Sequence, residues 1–442
     1  MKIRKNEINN IFIIFLFAHV IIWTVIPSIS NNNLPLDVIE AVAWSNGWPL
    51  GWDKHPPLSS WFPGLFFNIF GNQDWSFYFL SQIFVGISFV IVWIFSLDFF
   101  KDKIHSLISV LLLEGIYFYN FTSPEFNVNV AQLPFWALTV FFTWKIFRNK
   151  EPKLIDLILL GVFAAAGFLS KYLFLYLLIS IDLLFFYLIF FLKDRKFYFS
   201  YLVSLEVFLL LLIPHLVWLT NNDYITITYG LGRTGTEDLQ IINHIKNPIL
   251  FILKQIGILI PFFILCFVLI KKIKLKINLK DKKLIFLIFV NIVPIILILI
   301  TSLLSGSKIR TMWMTPFYLF MGLFVIYLFK NQINLKKINN FLIYFIFLFL
   351  FTPFVYGYIS ISKNDKRTDY PGKQIAEKVQ IEWDQNFDQP IEFVIGDEWK
   401  AGNLSYHLKS RPKWEGFLKN NDILDEAKEY ICIDDICVGT YK

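Results

Sequence analysis

Long apolar runs, separated by short polar segments, extend from near the start of the chain to about residue 360. The first run, residues 11–28, has no charged side chain and is about long enough to cross a bilayer as a helix. Ten similar runs follow, so the pattern predicts about eleven transmembrane helices. The later runs lie at 76–97, 104–120, 127–147, 154–170, 172–192, 198–219, 248–270, 284–304, 311–329 and 338–360.

Two of these spans have alternative interpretations. The spans 154–170 and 172–192 are separated only by Lys171, but a single helix over both would greatly exceed one bilayer crossing. The first run also has a rival interpretation as a secretory signal peptide, because Lys2, Arg4 and Lys5 precede it. No cleavage site of small residues follows it, so we favour a retained first span.

Basic residues predict the orientation of the chain in the membrane. With a cytoplasmic N-terminus, the inner segments hold 22 lysines and arginines and the outer connections hold six. Eleven spans would then place the first outer connection, residues 29–75, and the C-terminal tail outside the cytoplasm. The net charge of +7 follows from this bias and gives little reason to suspect a nucleic-acid partner.

Composition agrees with a membrane protein in the first part of the chain only. Hydrophobic residues make up 56% of the sequence, whereas soluble domains contain about 45–50%. After residue 362 charges recur every few positions, and 391–395 and 431–438 show strand-like patterns. We therefore predict an all-α polytopic membrane protein with a transmembrane domain at 1–362 and a small extracytoplasmic α/β domain at 363–442.

The three cysteines give limited information. Cys432 and Cys437 could form a disulfide in an oxidising compartment, or they could be two free thiols. A zinc site is a poorer explanation, because no histidine lies close to this pair in the sequence. Cys266 lies within a predicted span, where a packing role is expected.

The most unusual segment is residues 36–58, in the first outer connection. Asp37 and Glu40 are three positions apart, so a helix would place them on one face, where they could bind a divalent cation or act as a general base. Acids are also favourable at the start of any helix, which is the alternative explanation. Lys54 and His55 add a cation and a titratable ring before two prolines. The tryptophans around them would equally suit a loop at the lipid headgroups.

Other outer segments carry isolated polar groups. Glu125 lies in a short connection with Asn127 and Asn129, and could approach Asp37 if the helices cluster, although a Ser-Pro-Glu sequence also begins ordinary helices. Lys171, beside Tyr172, could bind phosphate or could extend to the interface without a specific role.

Further cations and ionisable groups complete the set of candidates. Arg233, Lys308 and Arg310 are exceptions to the scarcity of positive charge outside, which makes them candidates for phosphate binding. His215 and His244 flank the outer connection that carries Arg233, and a structural role is the simpler expectation for both. The predicted spans also contain ionisable residues whose partners the sequence does not reveal. They are Glu114, Asp182, Glu206 and Lys254.

Several segments, taken in order, resemble the bacterial glycosyltransferase family 39, which has the C-type membrane fold and is related to protein O-mannosyltransferases and lipid A aminoarabinose transferases. One departure is that the adjacent Asp-Glu pair of many relatives is here spread as Asp37 and Glu40. The matching segments are 36–44 with 54–58, 124–130 with 133–137, 169–172, 214–218 with 222–223, 310–313, 370–372 and 396–405.

The resemblance implies an activity and a place for it. Members pass a sugar from a polyprenyl-phosphate donor to an extracytoplasmic lipid, glycan or protein acceptor, with inversion at the anomeric carbon, in the bacterial plasma membrane. Asp37 matches the expected base, and Glu40 and Glu125 match acids that position the acceptor or a metal ion. The only cofactor considered is a divalent metal, with Asp37 and Glu125 as its candidate ligands.

The same resemblance distributes the remaining candidates. Those expected to bind the donor phosphate are Lys54, His55, Lys171, Arg233 and Arg310. Those expected to contact substrate are Tyr172 and Asn127.

Two other function classes explain parts of the pattern. A transporter or lipid flippase would use the outer segments as a gate, but should show paired halves with interrupted helices at mid-membrane, and we find no such symmetry. An anchored binding module using only the tail would leave residues 36–58 unexplained.

Overall fold

The computed structural model describes residues 7–149, 151–193, 196–234, 240–275, 277–418 and 422–442. Some residues used in the sequence argument lie outside these ranges, and so does the side chain of Lys196. These residues are Lys2, Arg4, Lys5, Lys150, Arg195 and Lys276.

The membrane part consists of helices joined by turns and by longer irregular segments. Its helices are α1 (Ile8–Ser30), α2 (Leu36–Trp44), α3 (Leu58–Phe70), α4 (Asp74–Ser96), α5 (Lys103–Leu111), α6 (Val128–Ala131), α7 (Leu133–Arg148), α8 (Leu154–Ser170), α9 (Leu175–Phe186), α10 (Lys196–Asn221), α11 (Ile225–Gly232), α12 (Asn243–Ile258), α13 (Ile260–Leu269), α14 (Lys282–Ser305), α15 (Met321–Leu328) and α16 (Ile338–Ser362).

Seven helical stretches within the described residues are long and apolar enough to cross a membrane, or nine if each of two bent pairs is counted as one span. The predicted count of about eleven is therefore not confirmed. One reason is that the run 104–120 is not one helix, because α5 ends at Leu111 and short 3₁₀ turns follow. Another is that α8 has only 17 residues. The predicted break at Lys171 is confirmed, since α8 ends at Ser170.

The bent pairs occur where the chain departs from regular α-helix. α12 and α13 meet at 54°, with Pro261 in the first turn of α13. A 3₁₀ segment, Thr311–Tyr318, meets α15 at 56° and contains Pro316. A proline removes one backbone donor and disfavours a continuous helix, which accounts for both breaks.

Burial separates central helices from peripheral ones. Most of the apolar window of α4 and of α7 is buried inside the protein, whereas 11% of the window of α16 is. Outward-facing leucine, isoleucine and phenylalanine side chains of α16 therefore form an apolar surface suited to lipid. α1 packs between α4 and α16.

A buried polar contact ties α1 to the interior. His19 Nδ1 lies 2.5 Å from Glu114 Oε1, and both side chains are fully enclosed. Glu114 belongs to the 3₁₀ turn that follows α5. The sequence left the partner of Glu114 open, and the fold provides it, because an ionisable group in a membrane interior needs one.

The tail forms a small α/β unit after α16. It contains α17 (Gly372–Asn386), β1 (Phe393–Gly396), α18 (Glu398–His407), β2 (Lys413–Trp414), α19 (Ile423–Glu426), β3 (Ala427–Ile433) and β4 (Ile436–Tyr441). The sheet order is β2-β1-β4-β3, with β1 parallel to β2 and the other pairs antiparallel. The predicted strands around Asp434 are confirmed, and Cys432 is bonded to Cys437 across this hairpin.

The tail domain packs directly on α2. Gly402 of α18 faces Ile39, and a Cβ there would lie 3.0 Å from the isoleucine side chain, so the two helices approach closely because this position is glycine. Asn33 donates to Asn403 Oδ1 at 2.8 Å. This contact determines which tail residues lie near the outer polar segments.

Candidate active site

The two predicted acidic segments meet at the start of α2. Pro35 is extended and precedes the helix, so Asp37 lies in its first turn. The backbone N–H of Asp37 donates to Glu125 Oε1 at 3.3 Å, although 88 residues separate them. The predicted approach of Glu125 to Asp37 is therefore confirmed.

Both carboxyl groups hold their protons more tightly than usual. Each keeps some solvent contact, but protein surrounds it closely, and burial raises the pKa of Asp37 although the charges of Lys171 and Lys54 oppose the rise. Burial, together with the negative charge of Asp37, raises the pKa of Glu125 to about 8. The negative charge of one such acid raises the pKa of the other, so the two groups ionise one after the other rather than together.

Lys171 lies in the break between α8 and α9, and its charge acts on Asp37. Its ammonium donates to Asn129 Oδ1 and lies 5.3 Å from the centre of the Trp313 ring. Burial lowers the pKa of Lys171 to about 7, although the charge of Asp37 works in the opposite direction. Within the described ranges no salt bridge joins Lys171 to a carboxylate, so its charge is only loosely compensated.

Lys54 has different surroundings, although it belongs to the same outer segment as Asp37. Its Nζ lies 3.0 Å from Glu40 Oε1 and also contacts Glu398 Oε2 of the tail domain. Burial alone would lower the pKa of Lys54, but the contacts with Glu398 and Glu40 outweigh it and raise the pKa. Burial, then the charge of Glu398, raises the pKa of Glu40 to about 8.

Asp37 and Glu40 therefore have different partners despite their shared helix. Asp37 contacts Glu125 and is affected by the charge of Lys171, whereas Glu40 is paired with Lys54. A helix places residues three apart on one face, but the neighbours on each side of that face come from other parts of the chain.

His55 is a neutral ring in this environment. Burial and the nearby charges of Lys171 and Lys54 lower its pKa to about 3. Its ring lies between Trp44 and Tyr229, with centroid distances of 6.0 and 6.3 Å. A neutral imidazole can donate one hydrogen bond to a phosphate, but it adds no positive charge.

α11 brings Arg233 over the same segment. Thr226 donates to the carbonyl of Trp52 at 2.5 Å, which fixes α11 above residues 52–55. The Arg233 guanidinium lies 5.6 Å from the centre of the Tyr229 ring, and its charge acts on both Asp37 and His55.

Arg310 approaches from a different connection. It precedes the 3₁₀ segment Thr311–Tyr318, which also carries Trp313, and its positive charge acts on Lys171. The backbone N–H of Lys308 donates to the carbonyl of Thr234 at 3.0 Å, which joins this connection to the end of α11. Of the predicted cations, Lys171 and Arg233 thus act on Asp37, and Arg310 acts on Lys171.

The predicted substrate contacts have partners within the protein. The Tyr172 hydroxyl lies 2.7 Å from His215 Nε2, and His215 Nδ1 lies 2.7 Å from the carbonyl of Leu50. These two hydrogen bonds hold the loop before Trp52 against α10, in agreement with a structural role for His215. Asn127 caps α6 by accepting from the backbone N–H groups of Asn129 and Val130.

Three residues of this cluster were assigned no role from the sequence. Glu398 lies in a tail motif that we noted, but only the packing of α18 on α2 brings it to Lys54. Arg367, near the end of α16, adds a positive charge that opposes the rise in the pKa of Asp37 and Glu125 caused by burial. Asn129 was noted only as a neighbour of Glu125, and its contact with Lys171 depends on how α6 meets the break after α8.

The described residues fit a metal ion poorly. They contain no cluster of three or more histidine, cysteine, aspartate or glutamate side chains suited to one. Asp37 and Glu125 provide two carboxylates, with Lys171 and Arg367 as neighbouring positive charges. Divalent cations prefer more oxygen ligands and no adjacent cations, so we derive no step through a metal.

Comparison with known proteins gives a match to part of the sequence and a match to the fold. Residues 54–218 match the model of the family described as dolichyl-phosphate-mannose-protein mannosyltransferase. This segment contains Lys54, Glu125 and Lys171 but ends before Arg233. No sequence among the curated proteins matches the chain.

Solved structures match over nearly the whole chain. ArnT from Cupriavidus metallidurans bound to undecaprenyl phosphate has a TM-score of 0.64 and 10% identity, covering 93% of this chain and 86% of that one. Its apo state gives the same score and identity, with 94% and 87% covered. The oligosaccharyltransferase AglB from Archaeoglobus fulgidus has a TM-score of 0.47 and 12% identity, covering 93% and 64%. The likeness to ArnT shows that this chain has the C-type membrane glycosyltransferase fold. The family match over residues 54–218 agrees with the resemblance to family 39 found in the sequence.

Proposed function

We propose that this protein transfers a sugar from a polyprenyl-phosphate donor to a hydroxyl-bearing lipid, glycan or protein acceptor outside the cytoplasm, with inversion at the anomeric carbon. The family description names dolichyl-phosphate-mannose, and one similar structure contains undecaprenyl phosphate. The observation that carries the proposal is that Asp37 contacts a second acid, Glu125, through its backbone N–H and is also affected by the positive charge of Lys171.

The reaction needs one proton acceptor and one stabilised leaving group. The acceptor oxygen forms a bond to the anomeric carbon while the bond from that carbon to the phosphate oxygen breaks. The hydroxyl proton goes to a carboxylate, and the phosphate leaves with the bonding electron pair. Its charge changes from about −1 to about −2, so cations placed beside it lower the barrier.

Asp37 is the proposed base. A base is most effective when its pKa lies near the working pH, and burial moves the pKa of Asp37 upward in that direction. The charge of Asp37 raises the pKa of Glu125, and Glu125 is proposed to orient the acceptor hydroxyl. Glu40 is assigned a supporting role, because its carboxylate pairs with Lys54.

The leaving phosphate is assigned to Lys171, Arg310 and Arg233, with Lys54 and His55 at its edge. Lys171 is the central cation of this set, because it is buried and its charge has the largest effect of the nearby cations on Asp37. Tyr172 follows it directly and is the proposed contact for the sugar. Asn127 stays a weaker candidate for substrate contact, since its carbonyl oxygen caps α6.

The proposed setting is a bacterial plasma membrane with the N-terminus cytoplasmic and the site on the opposite side. The excess of lysine and arginine in the inner segments supports this orientation. A cysteine-labelling experiment with a membrane-impermeant reagent tests it: a cysteine placed at exposed Lys409 should react in intact cells. Labelling only after lysis would contradict the orientation.

Activity is tested with the purified full-length protein, a panel of radiolabelled sugar–polyprenyl phosphates and a membrane extract as acceptor. The wild-type protein should release polyprenyl phosphate and label an acceptor, whereas Asp37→Asn should lose about 10³-fold or more in rate. Asp156→Asn, which alters a distant carboxylate paired with Lys145, is the matched control and should retain activity. Full turnover by Asp37→Asn would remove Asp37 from the mechanism, and donor movement across vesicles without sugar transfer would favour a flippase.

A further inference from the structure

One carboxylate of the tail domain, that of Glu398, contacts Trp44 and Lys54 of the membrane domain. Glu398 is the first residue of α18, whose start is fixed because Asp397 accepts from the backbone N–H groups of Trp399 and Lys400. Only 5% of Glu398 is exposed. Its Oε1 accepts from Trp44 Nε1 at 2.7 Å, and its Oε2 contacts Lys54.

Lys54 is consequently held from two directions. Glu40 of α2 and Glu398 of α18 each contact its ammonium, and the Trp44 ring lies 5.6 Å from it. An ammonium has three donors, so one donor remains for a ligand. A free lysine side chain samples many rotamers, and two anchors remove most of that freedom before a ligand arrives.

The anchors also maintain the charge. Burial of an isolated lysine favours the neutral amine, whereas two adjacent carboxylates favour the ammonium. One anchor belongs to the membrane domain and the other to the tail domain. The ammonium is therefore fully positioned only when α18 is packed on α2.

We propose that Glu398 is a positioning residue that holds the Lys54 ammonium for the phosphate of the lipid donor, so that the tail domain completes the donor site. This inference rests on the proposed function. Glu398 acts through Lys54 and does not touch the reacting atoms. Its removal leaves Lys54 with a single anchor, which weakens phosphate binding although a negative charge has been removed.

The test measures binding of undecaprenyl phosphate to the purified full-length protein in detergent. Glu398→Gln keeps the shape of the side chain but removes its charge, and should weaken binding about 5- to 10-fold. Lys54→Met should weaken it at least as much. In the Lys54→Met background, Glu398→Gln should change affinity less than 2-fold, because its effect passes through Lys54. In the Lys54→Arg background, which retains a cation, the loss should persist.

Lys400→Met is the matched control, since it removes an exposed pair with Asp435 two residues further along α18. It should leave binding unchanged. Thermal unfolding of each variant shows whether it is folded, and Glu398→Asp, which keeps the charge, replaces Glu398→Gln if that variant does not fold.

Unchanged or tighter binding by Glu398→Gln would overturn the inference, and so would a loss that persists in full in Lys54→Met, because a purely structural role has that signature. Neither result would affect the proposed function. Absence of undecaprenyl phosphate binding by the wild-type protein would instead count against the proposed function.

Discussion

Lys54 and Lys171 were both predicted to bind the donor phosphate, and their surroundings differ sharply. Lys54, in the first outer connection, contacts two carboxylates that raise its pKa. Lys171, in the break between α8 and α9, contacts the neutral Asn129 and lies over Trp313, and burial lowers its pKa to about 7. The first charge is already compensated within the protein, while the second is largely uncompensated.

This difference indicates how strongly each lysine should respond to a bound phosphate. A buried and weakly paired ammonium gains most from a new anion, because its own desolvation has not been offset. An ammonium with two carboxylates must share its donors with them. We therefore expect the Lys171 region to carry most of the stabilisation of the leaving phosphate and the Lys54 region to refine it.

The largest expected effect comes from removing the charge of Lys171. Lys171→Met should lower kcat about 10²- to 10³-fold, because a cation beside the developing charge is lost. Lys171→Arg keeps the cation and should retain more activity than Lys171→Met. Steady-state kinetics with the preferred sugar–polyprenyl phosphate checks this, and equal activity of Lys171→Met and wild type would reverse the comparison.

Removing the charge of Lys54 should have a smaller effect on activity and a larger one on stability. Lys54→Met should lower kcat/KM about 10- to 30-fold and cost about 2–3 kcal/mol, since two partly buried carboxylates lose their partner. The pKa of Glu40, about 8, lies above its ordinary 4.5, so its contribution to stability is present at low pH and is lost between pH 4.5 and 8.

Lys54 opposes the rise in the pKa of Glu40, and the Lys54→Met substitution removes that opposition. The Tm deficit of Lys54→Met should therefore be larger at pH 8.5 than at pH 5. Thermal unfolding at both pH values measures it, and a deficit independent of pH would show that the carboxylates do not depend on Lys54.

The comparison also predicts a pH profile. The ammonium of Lys171 loses its proton as pH rises through about 7, whereas the raised pKa of Lys54 keeps that residue charged. Activity should fall up to about 10-fold per pH unit above neutrality. Lys171→Arg should move this decline upward by at least one pH unit, and an identical alkaline limb in both proteins would assign the decline to another group.

The smallest effects concern the residues that hold Lys171 in place. Asn129→Ala removes its amide partner and should lower kcat about 3- to 5-fold. Asn127→Ala removes a helix cap and should cost about 1 kcal/mol of stability with little change in kcat. Kinetics and thermal unfolding on the same samples separate the two, and interchanged results would mean that Asn127 contacts the substrate.

The sequence allowed much of this arrangement to be predicted. Runs of apolar residues predicted a polytopic membrane protein, and the change after residue 362 predicted the tail domain and its hairpin. Placing both connections at one membrane face made an approach of Asp37 and Glu125 possible, and the packing of the helices realises it. The number of spans did not follow, because hydropathy does not report the 3₁₀ turns after Leu111 or the bend near Pro261.

Partners of individual charges were harder to predict. Glu398 is 344 residues from Lys54, and nothing in its local sequence indicates that α18 packs on α2. The same is true of His19 and Glu114, which are 95 residues apart. The spacing of residues in the sequence predicts which of them share one face of a helix. The contacts between Glu398 and Lys54 and between His19 and Glu114 depend instead on how separate helices pack.

The sequence by itself determined the class of the protein, the side of the membrane expected for its polar connections and the chemical types available there, because apolar length and charge patterns act locally. Tertiary structure alone decided which of those charges are compensated. Lys54 and Lys171 are the same residue type, yet one is placed between two carboxylates and the other against an amide and an indole ring. The charge available to a leaving phosphate depends on burial and partners, and both are properties of the folded chain.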